Sequence, residues 1–306
     1  MKIPKQFYFL LAVAAGASWG THGTFTYLLA QYGINDNAIA LICPLTYGLF
    51  FLILTVKDDF RHLILPKKWI PLFLLYGFVA AGFSLSSTKA YMHLPVGIVH
   101  TVVFCNLFLI MLFSRWLFKT PIKKENIFCA IVAVIGIAFM LNIFGNGMNL
   151  NFIGILWTLA ALVFWATLVT IEKYFLNIGL NGNALLTFSG LFAVIFISFL
   201  SPPWETVSDI IGAVIQSGGT ALVPLAGFIL IPSIASYAFY LKALTRMDPT
   251  LTQLGYVGDP LTATILGVIL FGQSLLPIQM IGIVLILCVV IFVEVRDFRS
   301  AKKASA

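Results

Sequence analysis

Residues 7–32, FYFLLAVAAGASWGTHGTFTYLLAQY, contain no Asp, Glu, Lys or Arg over a length that crosses a bilayer. A helix needs about 20 predominantly apolar residues to span a hydrocarbon core of roughly 30 Å. Lys2 and Lys5 precede the run and Ala-rich residues near Ala15 give it the look of a secretory signal, but it is too long for a cleaved apolar region. It is read as a retained first span, residues 7–31. Nine further apolar segments follow, at 36–56, 69–92, 95–118, 124–144, 151–176, 183–201, 220–246, 249–272 and 275–294. Lipid cannot satisfy an open backbone, so each is assigned as a helix. The expected fold is an all-α integral membrane protein with ten transmembrane helices.

Charge orients these segments. With the N-terminus in the cytoplasm and the loops alternating, 17 of the 18 Lys and Arg fall on the cytoplasmic side, and Lys89 alone lies towards the other face. That distribution follows the positive-inside rule and places both termini in the cytoplasm of a multi-pass cell-membrane protein. Hydrophobic residues make up 60% of the chain and charged residues 9%, against about a quarter charged in a soluble domain. The net charge of +7 is spread over short loops and the tail, which suits membrane lipid headgroups rather than nucleic acid. The four cysteines, Cys43, Cys105, Cys129 and Cys288, stand alone without a C-x-x-C pair and are read as small buried hydrophobes, with neither a metal nor a cofactor expected. The stretch from Ser201 to Gly219, with Glu205 and Asp209, is read as the longest external loop.

The chain repeats itself at an offset of 146. Ser18-Trp19-Gly20-Thr21 running on to Gly33-Ile34-Asn35 corresponds to Phe164-Trp165-Ala166-Thr167 running on to Gly179-Leu180-Asn181. Later, Lys89-Ala90-Tyr91-Met92-His93 followed by Pro95 corresponds to Lys242-Ala243-Leu244-Thr245-Arg246 followed by Pro249. The implied halves are 1–146 and 147–306, each with five spans. An odd span count makes the second half enter from the opposite side, and such inverted-topology repeats mark secondary transporters with a site near the midplane.

These features resemble the drug/metabolite transporter superfamily, EamA-type branch, over essentially the whole chain. The resemblance rests on the five-plus-five spans, the Trp in spans 1 and 6, the Ala-x-x-His/Arg ends of spans 3 and 8, and the Asp259-Pro260 pair in span 9. Phe271-Gly272-Gln273 resembles the family's Phe-Leu-Gly-Glu ending, with Gln273 in place of Glu. In the first copy Asn106 stands where Pro is typical, and Leu117-Phe118-Lys119 replaces the Leu-Gly-Glu close. The resemblance implies a central cavity lined mainly by spans 1, 3, 4, 6, 8 and 9. It also implies export or exchange of small metabolites by alternating access, without ATP.

Several side chains are candidates for substrate contact. Asp259 lies near the middle of span 9, too far from either interface to snorkel. A central Asp costs roughly 2.5–3.5 kcal/mol, so it should face protein or water. It either relays a proton or contacts a cation, or it is a structural carboxylate at a bend set by Pro260. His22 and His100 could switch charge in a wet cavity; each alone also suits a neutral histidine bonded to a neighbouring helix. His22 shares a helical face with Trp19 and Thr26, and Trp165, Val169 and Glu172 hold the same relation in the second half. Trp19 and Trp165 could stack on a planar or cationic substrate, or simply pack. Lys89 could meet an anionic group or an internal carboxylate such as Asp259. Ser84, Ser87 and Tyr91 share one face of span 3, as Ser233, Tyr237 and Tyr240 do on span 8. Gly16, Gly20 and Gly23 are read as sites of close helix approach.

No Gly-rich phosphate loop, H-E-x-x-H or nucleophile elbow is present. The expected function is secondary transport of a small metabolite, an amino acid, amine or other small zwitterion or cation, with a proton or other ion as coupling partner. The alternatives are an intramembrane enzyme acting on a lipid-linked substrate and a passive channel.

Overall fold

The structure, a computed structural model, describes residues 5–118, 124–140, 151–244 and 256–304. Lys2, Lys119, Thr245, Arg246 and Pro249 lie outside them. Among the described residues the secondary structure is helical. Five helical stretches are long and apolar enough to cross a membrane: Asp36–Leu63, Lys67–His93, Val96–Phe113, Phe152–Asn177 and Leu222–Ala243.

The first half comprises α1 (Lys5–Gly20), α2 (His22–Gln31), α3 (Asp36–Asp59), α4 (Ile70–His93), α5 (Val96–Phe104), α6 (Asn106–Phe118) and α7 (Lys124–Met140). The second comprises α8 (Phe152–Asn177), α9 (Gly182–Ser198), α10 (Pro203–Gln216), α11 (Leu222–Phe228), a π-helical turn at Ile229–Ala235, α12 (Ser236–Leu244), α13 (Gly258–Phe271) and α14 (Pro277–Ala304). Three expected spans are therefore broken. The first breaks at Thr21, whose hydroxyl bonds the Ser18 carbonyl at 2.7 Å. The fourth breaks at Cys105, where the Asn106 amide donates to the Val103 carbonyl at 2.9 Å. The eighth passes through the π-turn, where Pro232 cannot donate and Ser233 bonds back to the Phe228 carbonyl at 2.8 Å.

The expected external loop after Ser201 is instead mostly helix. α10 turns 87° from α9 at Pro202-Pro203. Trp204, Val207, Ile211 and Ile215 recur at spacings of three and four and form an exposed apolar stripe, which a polar-loop reading misses.

The offset of 146 is visible in the backbone. α2 ends at Gln31 and α8 at Asn177; α3 begins at Asp36 and α9 at Gly182. Gly33 and Gly179 both take left-handed conformations, with φ of 80° and 86°, that a side chain would strain. Asn35 and Asn181 then cap the next helices, accepting from Asn37 N at 2.9 Å and Asn183 N at 2.8 Å.

The halves pack together along paired helices: α3 on α9, α4 on α8, and α7 on α14, with α1 against α12 and α13. Gly136 and Gly282, again 146 apart, let α7 and α14 touch backbone to backbone; a Cβ on Gly136 would sit 3.1 Å from the Gly282 carbonyl oxygen. Aromatic packing joins α4 to α8, with Phe73 stacked on Phe175 at 4.3 Å between ring centroids. Polar ties are few: Tyr47 meets Ser189 at 2.9 Å, and Ser84 donates to the Ala40 carbonyl at 2.6 Å. Such bonds average about 0.6 kcal/mol inside a membrane, so close van der Waals packing carries the fold. The outer surface is apolar, with Phe128, Val163, Ile265 and Ile269 exposed, as a lipid environment requires. Cys288 lies on that exposed surface, unlike the buried Cys43, Cys105 and Cys129.

Candidate functional site

A cavity of about 80 Å³ lies where the two halves meet. Trp19, the next-to-last residue of α1, is its centre. Its ring contacts Trp165 (5.9 Å between centroids), Tyr237 (5.3 Å), Tyr240 (5.6 Å) and Tyr256 (5.2 Å). Most of these contacts are edge to face, the arrangement that aromatic quadrupoles favour. Tyr47 extends the box, 4.7 Å from Tyr237.

A polar wing adjoins the aromatic box. His100 Nδ1 on α5 lies 2.7 Å from Asp259 Oδ1 on α13, an ion pair when the imidazole is protonated. Tyr91 stacks on His100 at 5.2 Å, and His22 tilts against Tyr91 at 5.8 Å. Asp259 occupies the first turn of α13, where unpaired backbone N–H groups favour a carboxylate. Asp259-Pro260 lies in the first turn of α13, where Pro is tolerated because its missing N–H has no partner. The Nε2 of His100, the Nδ1 of His22 and the hydroxyl of Tyr256 are buried without a hydrogen-bond partner among the described residues. Buried polar atoms are rarely left so, and here they border a cavity that a ligand could fill.

Glu172 on α8 closes another part of the wall. It is 5% exposed and, among the described residues, has neither an ion-pair nor a hydrogen-bond partner. It sits on the same helix face as Trp165 and Val169, which also line the cavity. Among the described residues, the lining contains two carboxylates and two histidines but no Lys or Arg.

Of the side chains named from the sequence, Trp19, His22, Ser84, Tyr91, His100, Trp165, Glu172, Tyr237, Tyr240 and Asp259 line this one space. Thr26 and Lys89 do not. Thr26 is fully buried in helix packing. Lys89 pairs with Asp36 at 3.3 Å and lies 5.5 Å over the Trp157 ring, so its counter-charge is a helix-start acid and not Asp259. The hydroxyls of Ser87 and Ser233 bond their own helix backbones. Gly20 and Gly23 do permit close approach: a Cβ on Gly23 would fall 2.9 Å from the Tyr91 ring. The sequence reading missed Tyr47 and Tyr256. It placed span 2 outside the cavity, yet α3 contributes Cys43, Pro44 and Tyr47 to the wall. Pro44 inside that helix was the available signal.

A sequence model of the EamA-like transporter family matches this chain twice, over residues 6–142 and 152–295. The chain belongs to the EamA-like transporter family. The two matched stretches are the two helical halves, and the cavity of this EamA-like protein lies between them. A relative from Clostridium kluyveri, described as an uncharacterized transporter, is 27% identical over 313 residues, covering 98% of this chain and 95% of its own. One crystal structure shares the fold with a TM-score of 0.62 at 18% identity, over 93% of this chain and 95% of that one. Membership of this family makes the protein a transporter of the multi-pass membrane class.

Proposed function

We propose that the chain is a secondary active transporter of the cell membrane that moves a small metabolite by alternating access, as an exporter or exchanger. Its ten spans form two inverted five-helix repeats, 1–146 and 147–306, with both termini in the cytoplasm. The substrate is an amine, amino acid or other small solute with a positive group, and a proton or another ion couples its movement. The observation that carries this reading is the meeting of Trp19 and Trp165, equivalent residues of the two repeats, in one enclosed aromatic chamber. A site shared by two inverted halves can be opened to either side by rocking one half against the other. Broken helices at Thr21, Cys105 and Ile229–Ala235 border that chamber, where irregular backbone is tolerated within a membrane.

Counterflow in proteoliposomes tests the reading. A carrier accumulates labelled amine or amino acid against a load of the same unlabelled solute. A channel equilibrates label without that overshoot, and an enzyme makes product; either result rejects the carrier.

A further inference from the structure

We infer that Glu172 is the receptor for the positive group of the substrate, and that the substrate is a small organic cation without a carboxylate of its own. This rests on the carrier reading above and narrows it. Two carboxylates face the cavity, but they are not equivalent. Asp259 already has His100 at 2.7 Å. Glu172 has no cation and no hydrogen-bond donor among the described residues, although it is 5% exposed. An ionised carboxylate is costly to bury unless something positive joins it. Among the described residues, neither Lys nor Arg lines the cavity.

The surroundings of Glu172 suit an organic cation. Tyr47, Tyr237, Tyr240 and Tyr256 line the cavity with Glu172. Trp165 stands two turns earlier on the same helix, about 10 Å along the axis at 1.5 Å per residue. A cation touches an aromatic face within about 6 Å of its centroid and a carboxylate at about 4 Å. Both residues line the same cavity, so a cation held at Glu172 has aromatic faces in the same space. Trp19 offers a further ring, 5.9 Å from Trp165. A substrate carboxylate, by contrast, would lie among two acids, Glu172 and Asp259, with imidazole N–H and phenol O–H groups as its donors. A carboxylate gains hydrogen bonds from these donors but no fixed positive charge among the described lining residues, whereas a cation gains a carboxylate and several aromatic faces.

The probes are tetramethylammonium, glycine betaine (the same head group with a carboxylate) and neutral tert-butanol. Each is titrated into purified wild-type protein, with tryptophan fluorescence and thermal stability as readouts. Tetramethylammonium should give a saturable fluorescence change and raise the unfolding temperature, as a ligand of the folded state does. Betaine and tert-butanol should bind at least about ten-fold more weakly, equivalent to roughly 1.4 kcal/mol. Glu172→Gln should weaken tetramethylammonium binding about ten-fold or more, equivalent to roughly 1.4 kcal/mol. Glu205→Gln, an acid outside the cavity, should bind as wild type. The inference is overturned by wild type showing no saturable change, by betaine matching tetramethylammonium, or by Glu172→Gln binding unchanged. If Glu172→Gln is not monodisperse, Glu172→Asp and the three-probe series on wild type decide. Counterflow separates this from the carrier reading. Glu172-dependent binding without exchange rejects the carrier and keeps the subsite; exchange indifferent to Glu172→Gln does the reverse.

Discussion

Trp19 and Trp165 meet edge to face, 5.9 Å between ring centroids and 77° between planes, although 146 residues separate them. The repeat places them on corresponding helices, and the packing of the halves turns both into one chamber. Replacing either by Ala removes a wall and should raise the apparent substrate constant about ten-fold, or roughly 1.4 kcal/mol. Phe keeps a π-face and should be mild. Initial counterflow rates over a range of substrate concentrations check this. Two Ala variants that fold and transport as wild type would reduce the pair to packing.

His100 and Asp259 should act as a unit. His100→Gln leaves a carboxylate without its partner, whereas the double variant with Asp259→Asn leaves two neutral groups. Removing one partner of a buried pair costs more than removing both. The double variant should therefore be more stable than His100→Gln, with a coupling of about 0.5–3 kcal/mol across the cycle. Both single variants should also slow transport. Thermal unfolding in detergent gives the coupling; simple additivity of the three variants would show the pair to be independent.

Gln273 has a structural task. Its Oε1 accepts from Val96 N at 3.2 Å, at the first turn of α5. Gln273→Glu keeps that acceptor and adds negative charge at a helix N-terminus, a gain of about 0.3–1 kcal/mol. Gln273→Leu removes the cap and should cost about 0.5–2 kcal/mol. Unfolding temperatures ranked Glu above Gln above Leu fit this geometry; Leu ranking first rules it out.

Topology is checked by reporter fusions. A fusion between residues 145 and 151 should report outside, and one at Ala306 inside, since nearly all Lys and Arg then face the cytoplasm. Both fusions on one side would break the inverted arrangement.

The helices were legible wherever one apolar run made one unbroken element, as in α3, α4 and α8. Hydropathy averages over a window, so it cannot register the single-residue breaks at Thr21 and Cys105 or the extra residue of the π-turn. α10 was hidden by Pro202-Pro203, Glu205 and Asp209, which have turn chemistry, while its apolar stripe follows the helical period. The site was legible through the repeat: Trp19 led to Trp165, and their faces led to His22 and Glu172. Tyr47 was not, because a tyrosine in span 2 reads alike whether it faces inward or towards lipid, and Pro44 beside it was the one local signal. Lys89 was matched to the wrong acid because Asp36 reads as an ordinary first-turn residue, and only the fold brings the start of α3 beside the end of α4.

Gly20 rests on the backbone of Asp259 so closely that a Cβ there would overlap the Asp259 carbonyl and fall 2.8 Å from the Thr262 Cβ. The helix break comes at the very next residue, Thr21. The break of the first span and the peptide that presents the acidic group are thus in bare contact, with no side chain between them to act as a cushion. That contact depends on a hydrogen atom where every other amino acid would place a carbon, so any larger residue at position 20 would push the peptide of Asp259, and with it the partner of His100, out of place.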